Sequence, residues 1–154
     1  MDAPEPLPRA ATTAADDDDI AAALRALRAS AGEDAMLVAI YVEGAIHLDL
    51  VKVAAPLRRR GRGTMLVRAL LALADRFGKP VRLQVYALAA DLGGPGQAEL
   101  ERWYERLGFR MSGAFSPTGQ PVMIRPAART TGRSVPGAPA SRNDHSMLQC
   151  NKMW

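Results

Sequence analysis

The stretch from Leu48 to Ala87 limits the possible folds more than any other part of this sequence. Leu48-Asp49-Leu50-Val51-Lys52-Val53 continues a β pattern that begins at Ile46. Pro56 to Gly63 is a loop of Gly, Pro and Arg, with Arg58-Arg59-Arg60-Gly61-Arg62-Gly63 at its end. From Thr64 to Phe77, Leu66, Leu70, Leu73 and Phe77 recur at helical spacing, and Gly78-Lys79-Pro80 ends the run. Val81 to Ala87 is again a strand. Strand, loop, helix, strand is a βαβ crossover, so the two strands run parallel unless another lies between them.

The flanks complete the expected order. Asp16 to Asp19 suits a helix start, because carboxylates favour the positive end of the helix dipole. Ile20, Leu24, Leu27 and Ala31 then form one apolar face, and Gly32 stops the helix. The four aspartates read as a solvated charge run, since consecutive helical positions diverge and cannot converge on one ion. Met36 to Val42 and Ile46 to Val53 read as a hairpin about Glu43-Gly44. Gln97 to Leu107 reads as a helix stopped by Gly108. Phe109 to Phe115 and Pro121 to Arg125 read as a final strand pair. Residues 1–15 read as a disordered leader, 16–126 as one domain, and 127–154 as a disordered tail rich in Pro, Gly, Ser, Thr and Arg. Met147, Leu148, Met153 and Trp154 are scattered tail hydrophobes, and the single cysteine, Cys150, reads as an incidental thiol.

Charge separates along the chain. Residues 1–44 carry three Arg against nine acids, whereas residues 45–126 carry two Lys and eleven Arg against six acids. A basic centre suits an anionic ligand, either nucleic acid or a phosphorylated cofactor. No apolar run approaches the length of about 20 residues needed to span a bilayer. The start lacks a secretory pattern. A cytoplasmic chain with no membrane partner is therefore expected.

The loop at Arg58–Thr64 is the strongest functional signal. The first N–H groups of a helix lack partners, and the dipole there is positive, so the junction can cradle a phosphate. Gly61 and Gly63 allow close backbone approach, and the arginines add charge-assisted contacts. The spacing matches neither of the common glycine-rich nucleotide motifs. A basic turn that merely caps a helix would look the same.

Arg58-Arg59-Arg60-Gly61-Arg62-Gly63 resembles the [R/Q]-x-x-G-x-[G/A] motif of the GNAT superfamily of acyl-CoA-dependent N-acyltransferases. A second motif agrees: Gln97, Tyr104, Gly108 and Phe109 fill the places of that family's amide, tyrosine and Gly-Phe pair. Ala74-Asp75, Gly93-Gly94 and Met123-Ile124-Arg125-Pro126 are similar to features of its short members. The resemblance covers roughly residues 46–125, and residues 1–44 are short for the family's first elements. It implies an α/β (α+β) fold, with a mixed twisted sheet flanked by helices and a splayed strand pair forming the acyl-CoA cleft. Acetyl-CoA (coenzyme A) is then the co-substrate, with no metal. The expected cofactor contacts are Val51, Val53, Arg58, Arg59, Arg60, Gly61, Arg62, Gly63, Thr64 and Gln97. Tyr104 is the expected proton donor to the leaving thiolate.

An N-acylation also needs a base to take the amine proton. His47 and Asp49 are the candidates, on the expectation that strand alternation places both on one face with Val51 and Val53. Glu43 is a weaker third. A surface histidine and a structural aspartate are the plain alternatives. The expected acceptor is a small-molecule or peptide amine, and a homodimer is compatible with the resemblance. Two other readings stand beside the enzyme: a non-catalytic acyl-CoA-binding regulator on the same fold, and a basic nucleic-acid-binding module. The last lacks interleaved aromatics and any base-reading motif.

Overall fold

A computed structural model describes residues 14–88 and 92–128. The order is α1 (Ala14–Ser30), β1 (Ala35–Val42), β2 (Ala45–Val53), a 3₁₀ turn (Ala55–Leu57), α2 (Arg62–Arg76), β3 (Val81–Gln84), α3 (Gln97–Arg106), β4 (Arg110–Phe115) and β5 (Pro121–Arg125). The expected elements are present with the expected types. Helix α1 begins at Ala14, so Ala14 and Ala15 belong to it and not to a leader. The rest of the leader, Cys150 and the tail residues Met147, Leu148, Met153 and Trp154 lie outside the described residues.

One five-stranded sheet runs in the order β1-β2-β3-β5-β4. The β1–β2 hairpin closes on Glu43 and Gly44, with φ of 52° and 80°. Two successive positive φ values make the tight turn whose twist matches the strands it joins. Helix α2 carries the chain from β2 to β3, and these two strands pair in parallel. Strand β3 then pairs antiparallel with β5, and β5 with β4.

Register places Ala35, Leu37, Ile46, Leu48, Val81, Leu83 and Met123 on one face of the sheet, all of them buried. Ile20 and Leu24 of α1, Leu66, Val67, Leu70, Leu71 and Ala74 of α2, and Tyr104 of α3 join them in a single core cluster. With few aromatics, the core is filled mainly by branched aliphatics, whose burial supplies most of the stabilisation. The opposite face bears Met36, Ile40 and Val42, which are exposed.

A bidentate ion pair closes the end of the sheet remote from the arginine loop. Arg125 donates through Nη1 and Nη2 to Asp75 Oδ1 and Oδ2 at 2.8 and 2.9 Å. Ala128 N–H adds a bond of 3.0 Å to Asp75 Oδ1, so ordered chain extends past the expected domain end. The hydrogen bonds from Arg125 hold the Asp75 carboxyl below its ordinary range, against the opposing effect of burial. This stabilisation is present above the unfolded value of 3.8 and fades as pH falls through the lowered folded pKa. Asp75→Asn should lower the melting temperature by a few degrees at neutral pH, and the difference should shrink as pH falls below 3.8. Thermal melts of both proteins across pH 2–7 check this.

Candidate active site

Parallel pairing between β2 and β3 covers only Ile46↔Val81, His47↔Arg82 and Leu48↔Leu83. Beyond Leu48 the two strands part, leaving Asp49–Val53 without a strand neighbour on that side among the described residues. The fork begins at a bulge. Val38 pairs with Leu50 and Ala39 with Leu48, so Asp49 has no partner in β1.

An extra residue in one strand reverses its alternation. Ile46 N–H bonds Pro80 on the β3 side, whereas Ala54 N–H bonds Asp34 on the β1 side. Between those anchors, the inserted Asp49 brings the backbone groups of Val51 and Val53, not those of Leu50 and Lys52, round to the fork. The same reversal keeps Val51 and Val53 on the core face with Leu48.

That bulge corrects the expected grouping of the base candidates. His47 lies on the opposite face from Val51 and Val53, and it is still flanked by Ile40 and Arg82 on paired strands. It is half-buried, and its Nε2 is buried with no hydrogen-bond partner among the described residues. Asp49 is exposed at the point where the strands part. The structure therefore takes His47 off the face of Val51 and Val53 and leaves Asp49, unpaired, at the fork. Glu43 lies in the hairpin turn, at the other end of β2.

The chain turns through Arg58–Gly61 into α2. Arg59 and Gly61 both adopt left-handed conformations, φ 62° and 76°. For Arg59 this costs about 1–2 kcal/mol relative to a right-handed conformation. Gly61 is the N-cap and supplies no side chain. Met65 N–H makes the first helical bond, to Gly61 O at 2.9 Å. The N–H groups of Arg62, Gly63 and Thr64 thus precede the helical ladder and form a concave set of donors that suits an anion.

The four arginines divide into two pairs. Arg59 and Arg60 are exposed and available to an anion. Arg58 and Arg62 have guanidinium groups engaged within the fold. Arg58 donates from Nε to Val53 O and from Nη1 to Leu92 O, each at 3.1 Å. It spans from the end of β2 to the segment beyond β3. Arg62 donates from Nη2 to Ala31 O at 3.0 Å, tying α2 to the end of α1.

Gln97 is also engaged within the fold. Val85 N–H bonds Pro121 O at 3.0 Å, but a proline has no N–H to return to Val85 O. Gln97 Nε2 donates to Val85 O at 3.1 Å instead, and Gln97 Oε1 accepts from Ala87 N–H at 3.3 Å. Its carboxamide completes the sheet edge where the strand would otherwise fray. A further bond of 2.8 Å from Nε2 reaches Glu101.

Tyr104 is buried, and its ring centroid lies 4.7 Å from Trp103 and 5.5 Å from Phe109. Burial pushes its phenol up to about 12, so it holds its proton throughout the neutral range. Trp103, which sequence reasoning passed over, reaches the anion cradle and donates from Nε1 to Thr64 Oγ1 at 3.0 Å. Its place before Tyr104 was visible in the sequence, but its partner lies 39 residues away.

A hairpin, a forked parallel pair joined through a glycine–arginine helix start, and a closing antiparallel pair decide the architecture. The fold is GNAT-like. No protein-family model matches the chain, and no curated protein matches it. Among solved structures it is similar to the anti-CRISPR protein AcrVA5, with 20% identity, a TM-score of 0.49, and coverage of 59% of this chain and 88% of that one. It is similar to Ard1 from Thermoplasma volcanium at 22% identity and TM-score 0.45, covering 60% of this chain and 62% of that one. It is also similar to PaiA N-acetyltransferase from Thermoplasma acidophilum, solved with coenzyme A, at 12% identity and TM-score 0.47, covering 60% of this chain and 52% of that one. The GNAT-like chain thus spans less than two thirds of the last two proteins. Among its described residues, no group of three or more His, Cys, Asp or Glu could hold a metal ion, and no helix is long and apolar enough to cross a membrane.

Proposed function

We propose that this GNAT-like chain is an acyl-CoA-dependent N-acyltransferase that moves an acetyl group to a small-molecule or peptide amine. The observation that carries the reading is the alignment of two features along one strand. The backbone edge that β3 leaves unpaired at Val51 and Val53, where Arg58 Nε takes only the Val53 carbonyl, leads directly to the uncapped start of α2. An extended amide-bearing arm ending in a diphosphate has the chemistry to match both. Coenzyme A supplies an activated acyl thioester when bound.

The chain's own residues then divide the work. Backbone groups of Val51 and Val53 hold the arm as a third strand would. The N–H groups of Arg62, Gly63 and Thr64, with exposed Arg59 and Arg60, hold the diphosphate. Asp49 at the fork takes the amine proton, directly or through water. Tyr104 offers a protonated phenol to the departing sulfur. A phenol near 12 is a weaker acid than a thiol of ordinary pKa about 8.5. It therefore stabilises the thiolate mainly as a hydrogen-bond donor and not by outright proton transfer.

One observation favours the second reading, a non-catalytic acyl-CoA-binding protein. Tyr104 is only 7% exposed and ringed by aromatic side chains, as a core residue would be. Two measurements distinguish the readings. Coenzyme A at about 100 times its Kd should stabilise the fold by about 2.7 kcal/mol, raising the melting temperature by roughly 10 °C. A screen of acetyl-CoA turnover across small amines, polyamines and peptide N-termini should then find an acceptor. Stabilisation without turnover selects the binding protein. No stabilisation at millimolar coenzyme A removes both readings.

A further inference from the structure

We infer that Trp103 is a positioning residue that sets the direction of the Thr64 hydroxyl toward the anion cradle. The inference rests on the proposed coenzyme A site, and it concerns a residue that no motif assigned. An indole N–H can only donate. In the 3.0 Å bond from Trp103 Nε1, the Thr64 oxygen must therefore accept. The hydroxyl keeps its own proton for another partner. Thr64 is the third residue of α2, so its backbone N–H is among the donors that precede the helical ladder. With the indole occupying one lone pair, the hydroxyl can turn its proton toward a phosphate oxygen held by those same donors. Thr64 then presents two donors to the anion, one from the backbone and one from the side chain.

The surroundings hold the indole in this position. A Cβ at Gly63 would lie 3.6 Å from Val53 Cγ2 and 3.8 Å from Trp103 Cζ2, so the first turn of α2 packs between the end of β2 and the indole. The ring of Trp103 also packs, tilted by 54°, against Tyr104 with centroids 4.7 Å apart. One side chain therefore touches the cradle on one side and, on the other, the phenol proposed to hydrogen-bond the departing sulfur. An aromatic ring alone would satisfy the packing, whereas only the N–H fixes the hydroxyl.

The test is a double-mutant cycle read by the Kd for coenzyme A. Trp103→Phe keeps an aromatic ring and removes the N–H. It should weaken coenzyme A about 5-fold, the scale of one lost hydrogen bond, with a melting temperature within a few degrees of the parent. Thr64→Val should weaken it by at least as much. The double variant should bind no more weakly than Thr64→Val alone, because the indole acts only through the hydroxyl. Thr64→Ser, which keeps the hydroxyl, should retain both the affinity and the sensitivity to Trp103→Phe. Unchanged affinity in Trp103→Phe overturns the inference while leaving the proposed site intact, as do losses that simply add. If the parent itself fails to bind coenzyme A, the proposed function falls and this inference falls with it.

Discussion

Tyr104→Phe should lower kcat about 10²-fold or more while leaving the Kd for coenzyme A within about 2-fold, the division expected of a residue that acts on the departing sulfur. The substitution preserves the ring that packs at a tilt against Trp103 and meets Phe109 edge-on. Only the hydroxyl is lost. The same variant should change the alkaline limb of stability. In the parent, the unfolded phenol ionises near 10 and the folded one near 12, so the folded state binds the proton more tightly. Below pH 10 that advantage is fully present. Between pH 10 and 12 the unfolded state ionises first, and stability falls as pH rises, by about 2–3 kcal/mol in all. Tyr104→Phe should remove this part of the slope. Melts from pH 8 to 12 read the slope, and steady-state turnover with an acceptor reads kcat. Unchanged kcat with an altered slope would make Tyr104 a core residue and nothing more.

Deleting Asp49 should abolish most turnover without unfolding the chain. Asp49 is the one residue of β2 that β1 does not pair, between Leu48↔Ala39 and Leu50↔Val38. Its removal leaves Ile46, Leu48, Val51 and Val53 on the core face and restores regular alternation. The hairpin should therefore form without the bulge, and the melting temperature should hold or rise. What disappears is the carboxylate at the fork and the local bend that presents it. A loss of about 10²-fold or more in kcat is expected from a missing general base. Asp49→Asn separates the two contributions, since it keeps the bulge and removes only the charge. Full activity in Asp49→Asn would move the base elsewhere, whereas a deletion variant that melts far below the parent would make the bulge a structural necessity.

Period and punctuation in the sequence determined the element order. The α1 stripe of Ile20, Leu24 and Leu27, with Ala31 just past the helix end, is buried or partly buried as its spacing required. Gly61 stands in the left-handed conformation at the start of α2, which a residue with a side chain adopts at a cost. These properties are local: a 3.6-residue period, a missing Cβ and a proline-set turn act within a few residues.

Tertiary structure decided everything that depends on residues distant in sequence. The face assignment of β2 failed because strict alternation cannot anticipate an inserted residue, and only pairing with β1 reveals Asp49 as unpaired. Arg58, Arg62 and Gln97 are expected ligand contacts by their place in motifs, and their side chains also have partners within the fold. Their partners, Leu92 O, Ala31 O and Val85 O, are set by how the chain folds back. Gln97 is needed where it is because Pro121, in another strand, lacks a donor. Ala74-Asp75 and Met123-Ile124-Arg125-Pro126 drew notice only as family likenesses, and folding makes Asp75 and Arg125 partners across 50 residues. The link from Trp103 to Thr64 has the same origin. A hydrogen bond depends on distance and direction in space, and a linear pattern carries neither for residues that meet only after the sheet has closed.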